Sequence, residues 1–109
     1  MSKFDDFVSE VFKGVKDLAT GDLKDLQNAA KEDADAFITL GKADLRKWTH
    51  ELAEGKLSQE EFSDLVAGQA DLAKLFALAQ AGIATARLQR FRDALIKLVI
   101  DKAFDTFLP

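Results

Sequence analysis

The stretch EGKLSQEEF, residues 54–62, decides the fold. Gly55 suits the left-handed position that closes one helix. Ser58 is a strong N-cap for the next, and Glu61, three residues on, completes a capping box. Leu57 and Phe62 stand where a hydrophobic staple would clasp the entry. Glu60, Glu61 and Asp64 place negative charge near the positive end of the new helix dipole. The stretch is the turn of an αα-hairpin, near the middle of 109 residues.

Working outward, the arms on either side read as helix. The sole proline is Pro109, so nothing inside the chain interrupts one. Strict polar–apolar alternation never persists, and the fold class is all-α. One helix is predicted from about Leu23 to Glu54. Leu23, Leu26, Ala30, Ala34, Phe37, Gly41, Leu45, Trp48 and Leu52 follow steps of three and four that repeat every eleven residues, which implies little supercoil. At 1.5 Å per residue such a helix is roughly 50 Å long. A second arm is predicted from Gln59 to Leu108, with Gly82 marking where a kink would fall.

Before these lies a shorter helix, about Lys3 to Ala19, with Phe4, Phe7, Val8, Val11, Phe12, Val15 and Leu18 on one stripe. Ser2 is placed to cap its start. Gly21 is read as its left-handed C′ residue and Asp22 as the next cap. An interruption this short predicts a bend rather than a tight reversal.

Closing the arms about the central turn brings together residues whose numbers sum to about 113. Phe37 then faces Phe76, Trp48 faces Leu65, Gly41 faces Leu72 and Ala30 faces Ile83. Leu26, Leu45 and Phe62 complete this expected hairpin core. Large residues fall opposite small ones, as close packing requires. Past the bend, Val15 falls near Leu98 and Val99, Leu18 near Leu95, and Phe7 near Phe107.

The final segment, ALIKLVIDKAFDTFLP, is apolar over an unusually wide arc. A helix of that kind is buried between two neighbours. The first helix supplies one, and a second molecule is expected to supply the other. The expectation is a two-fold dimer or a larger protein partner, held through Phe91, Leu95, Ile96, Val99, Ile100, Ala103, Phe104 and Phe107.

Chemistry is sparse. Arg87, Arg90 and Arg92 flank Phe91 in RLQRFR, a pattern seen in nucleic-acid contacts. In the hairpin register, however, Arg87 falls opposite Asp25 and Arg90 opposite Asp22, so ion pairing is the reading. A net charge of −4 and a pI near 4.9 also disfavour nucleic acid. KEDADA, residues 31–36, lacks the glycine and terminal glutamate of a calcium loop and reads as a solvated face. His50 has Lys47 three positions before it, so the Glu-x-x-His of di-iron bundles fails. No strained Gly-x-Ser-x-Gly elbow or glycine-rich phosphate loop occurs, and cysteine is absent. No cofactor or metal is expected.

The start, MSKFDDFVSE, lacks the basic, then apolar, order of a secretory signal. No apolar run is long enough to span a bilayer. A cytoplasmic location is the expectation. The function expected is that of a non-enzymatic, self-assembling structural or adaptor protein that binds another protein through its Phe-rich terminal helices. The alternative is an amphipathic coat for a neutral lipid or polymer surface. Acidic polar faces argue against anionic membranes.

Overall fold

The computed structural model describes residues 3–21, 23–72 and 75–108. Ser2 and Asp22, both expected as caps, lie outside the described residues, as does the side chain of Leu72. Five α-helices occur among them: α1 (Lys3–Gly21), α2 (Gln27–Ala53), α3 (Gln59–Leu72), α4 (Phe76–Gln80) and α5 (Thr85–Phe107). A 3₁₀ turn, Lys24–Leu26, leads into α2. None of these helices is long and apolar enough to cross a membrane.

The turn between α2 and α3 forms as its residues dictate. Gly55 has φ +76°, its N–H donates to the Leu52 carbonyl and the Lys56 N–H to the Glu51 carbonyl. That pair of bonds is a Schellman closure. On the other side the Ser58 N–H donates to Glu61 Oε1 at 3.0 Å, and the Glu61 N–H donates to Ser58 Oγ at 3.0 Å.

The four long helices make an antiparallel bundle. Each packs on two neighbours in the cyclic order α1, α2, α3, α5, with the most extensive contact between α1 and α5. Phe4, Phe7, Val11, Val15 and Ala19 of α1 are buried, as are Ala30, Ala34, Phe37, Ile38, Leu45 and Leu52 of α2. The α5 line is Phe91, Leu95, Val99 and Ala103, four residues apart. The molecule measures 42 × 25 × 19 Å, and its long dimension is close to the length of α2, about 40 Å at 1.5 Å per residue.

Three expectations are corrected. First, α1 folds back along α2 rather than bending away. The Arg46 guanidinium, near the end of α2, lies 4.4 Å over the Phe4 ring at the start of α1. Gly21 is still helical and has no positive φ, so α1 ends later than predicted. Leu23 tucks into the core at 1% exposure, and half-buried Leu26 belongs to the connector rather than to the α2–α3 seam. Residues 22–26 are enough for a reversal.

Second, the long second arm is divided. Gly82 is not a kink inside a helix but a left-handed terminator with φ +81°. Its N–H donates to the Ala79 carbonyl and that of Ile83 to the Leu78 carbonyl, a second Schellman closure. Half-buried Ile83 therefore sits in a connector. The two arms cannot keep one register through such breaks. Phe76, expected against Phe37, is 65% exposed, whereas Phe37 is buried. Val66 rather than Leu65 points into the core, and Trp48 is half-buried on its edge. Gly41 is buried against Gln69, whose side-chain atoms lie 3.1–3.2 Å from where a Cβ would stand.

Third, KEDADA is not wholly solvated. Asp33 is 4% exposed, and its carboxylate accepts the backbone N–H of Ala77 at 2.9 Å and of Leu78 at 2.8 Å. A helix of five residues has no intrinsic persistence. This one is held by a carboxylate from α2 at its start, by Gly82 at its end, and by the buried Leu78 beneath.

Candidate functional site

The bundle uses most of the C-terminal apolar stripe. Phe91, Leu95, Val99 and Ala103 are within the core of the single chain. Ile96, Ile100, Phe104 and Phe107 are half-buried and pack on that core. The second neighbour that the wide apolar arc requires is α3: the Phe62 and Phe104 rings lie 6.0 Å apart. The first neighbour is α1, as expected, with Phe7 and Phe107 edge to face at 5.9 Å. Gly14 lets these helices approach closely, since a Cβ there would run into the δ-methyls of Leu98.

The RLQRFR segment opens α5 beside the end of α1. Arg87 grips Asp25 with its fork, Nη2 to Oδ1 at 2.7 Å and Nη1 to Oδ2 at 3.3 Å. That hydrogen bonding holds the Asp25 carboxyl below the usual carboxylate range, with the Arg87 charge adding to it. The expected pairing of Arg90 with Asp22 falls outside the described residues. A recess of about 170 Å³ lies here, lined by Leu18, Leu23, Arg87, Arg90, Phe91 and Ala94. It is below the usual size of a ligand pocket. Its position at the C-terminal end of α1 places it near that helix's negative pole.

The opposite end is richer. There the start of α1, the last turns of α2 and the end of α5 converge on a groove of about 320 Å³ lined by Lys3, Phe4, Arg46, Thr49, His50, Ala53 and Phe107. The antiparallel reversal of α1 assembles it, bringing residues 3–4 to residues 46–53. Thr49 is buried and spends its hydroxyl on the Leu45 carbonyl at 2.8 Å. His50 Nε2 lies 3.1 Å from Glu54 Oε1 at the rim. The Phe4 ring lies 5.8 Å from that of Phe7, tilted by 48°, so the floor is continuous with the aromatic cluster of the core. The separate segments read individually carry no motif, and the groove becomes visible only once α1 is known to fold back.

Outside the groove, Leu40 at 69% and Phe76 at 65% are the most exposed large apolar side chains among the described residues, with Phe12 at 37%. Among the described residues no three histidine or carboxylate side chains converge on a common point. The carboxylate of Asp33, the acid that would open a calcium loop, is engaged by two backbone amides.

Fold and surface define a small all-α protein built as a four-helix bundle with a fifth, strapped helix. The chain matches no protein-family model, no curated protein and no solved structure.

Proposed function

We propose that the protein is a non-enzymatic helical adaptor that binds another protein through the Phe-rich end of its bundle. The observation that carries this reading is the groove in which Phe4 and Phe107 meet Lys3, Arg46 and His50. It joins an aromatic floor to a polar rim, the anatomy of a hot spot on a protein surface. Self-assembly is the weaker half of the sequence-based expectation, because α3 covers the arc of α5 that called for a second copy. A lipid or polymer coat would need the bundle to open, since the apolar stripe of α1 is buried against α5 and α2.

The test is a partner isolated from the native cell, identified, purified and titrated against variants. Ala53→Arg, which fills the groove from an exposed position, should abolish saturable binding, and Leu40→Ser on the outer face of α2 should leave it unchanged. Binding that survives Ala53→Arg and fails with Leu40→Ser contradicts the assignment.

A further inference from the structure

We infer that the groove takes an acidic segment of its partner, one that presents a carboxylate beside an apolar or aromatic side chain. This rests on the adaptor reading and names the chemistry of the same site. The argument is one of charge. The whole chain carries a net −4, yet the seven residues lining the groove include the cations Lys3 and Arg46 and no carboxylate. Glu54 engages His50 and Lys56 from the rim, and Asp5 and Asp6 follow Lys3 and Phe4 in the first turn of α1. The lining itself therefore carries the positive charges of Lys3 and Arg46 on an otherwise acidic chain, and these attract an acidic segment.

Arg46 supplies the geometry. Among the described residues no carboxylate lies within ion-pair distance of it, and its guanidinium is set over the Phe4 ring at 4.4 Å. The Phe4 face holds the guanidinium at the groove, and a guanidinium can bind a carboxylate in bidentate fashion. Lys3, exposed at the start of α1, adds a second charge. Beside this pair, Phe107 and Ala53 offer apolar surface for the neighbouring side chain. The volume is at the small end for a ligand site, which suits one anchoring side chain of a peptide rather than a cofactor.

The experiment is a titration of the ¹⁵N-labelled full chain followed by amide shifts. The probes are a short capped peptide alternating glutamate and phenylalanine, the same peptide with glutamine for glutamate, one with lysine for glutamate, and vesicles of phosphatidylglycerol. Shifts confined to the groove with the acidic peptide, weakening with added salt and falling roughly tenfold in affinity for Arg46→Gln, are the expected result. Arg46→Lys, which keeps the charge without the fork, should fall between. Equal binding of the glutamine peptide, or preference for the lysine peptide, overturns the acidic assignment while leaving a groove that binds protein. Preference for vesicles overturns it in favour of a membrane surface. If no probe moves the groove, and the purified natural partner also ignores Ala53→Arg, the adaptor reading fails with it.

Discussion

Asp33 on α2 accepts the backbone N–H of Leu78 on α4 at 2.8 Å, across forty-five positions of sequence. With the companion bond from Ala77 at 2.9 Å, each carboxylate oxygen satisfies one amide at the start of a helix that has no cap of its own. The crossover from α3 to α5 is thereby tied to the bundle by a side chain from a third element.

Removing that tie leaves two amides without their acceptor. Asp33→Ala should destabilise the protein by about 2–4 kcal/mol, from the loss of charge-assisted bonds. Asp33→Asn, with one carbonyl oxygen, should cost less. Urea denaturation gives the totals, and hydrogen exchange at Ala77 and Leu78 should accelerate first.

Glycine positions separate a terminator from a kink. Gly82→Ala forces a left-handed φ on a residue with a Cβ and should cost about 1–2 kcal/mol. Gly68 lies inside α3 with nothing near its Cβ position, so Gly68→Ala should stabilise by roughly 0.5–1 kcal/mol. Paired thermal melts read both signs.

The contact between α1 and α5 includes Phe7, fully buried, in a T-shaped pair with Phe107. Phe7→Ala should cost about 3–5 kcal/mol. A double-mutant cycle with Phe107→Leu should return a coupling of about 0.5–1.5 kcal/mol.

Two carboxylates report the local geometry through pH. Glu61 is held below the ordinary glutamate range by the Ser58 N–H and then by the Ser58 hydroxyl; Asp25 is held low by Arg87. Because these values are lowered in the folded state, the contacts contribute fully above the ordinary carboxylate range. They are lost as pH falls through the lowered values. Carboxyl NMR titration should place both midpoints low. Arg87→Met should raise that of Asp25, and Ser58→Ala should raise that of Glu61 part of the way.

Several of these features were legible in the chain. The Gly55–Ser58 turn declares itself by local chemistry alone, and the pairing of α1 with α5 follows from counting outward to Phe7 with Phe107 and Asp25 with Arg87. The reversal before α2 was not legible, because Leu23 and Leu26 continue the helical repeat without a break while the backbone passes through a 3₁₀ turn. Periodicity over three residues does not separate the two. The division of the second arm was hidden in ALAQAGIATA, whose small residues give no polar face to read. The role of Asp33 needs a partner from the far side of the molecule, so KEDADA by itself resembles any solvated run. The groove, built from residues 3–4, 46–53 and 107, has the same origin and stayed invisible with them.

The central claim is that α5 finds both of its apolar neighbours, α1 and α3, within its own chain. Mixing ¹³C-labelled with unlabelled protein and recording isotope-filtered ring contacts tests it most directly. Contacts of Phe104 with Phe62 and of Phe107 with Phe7 should appear only within labelled molecules. Finding either contact between labelled and unlabelled chains would contradict the closed bundle and restore a second copy as the cover.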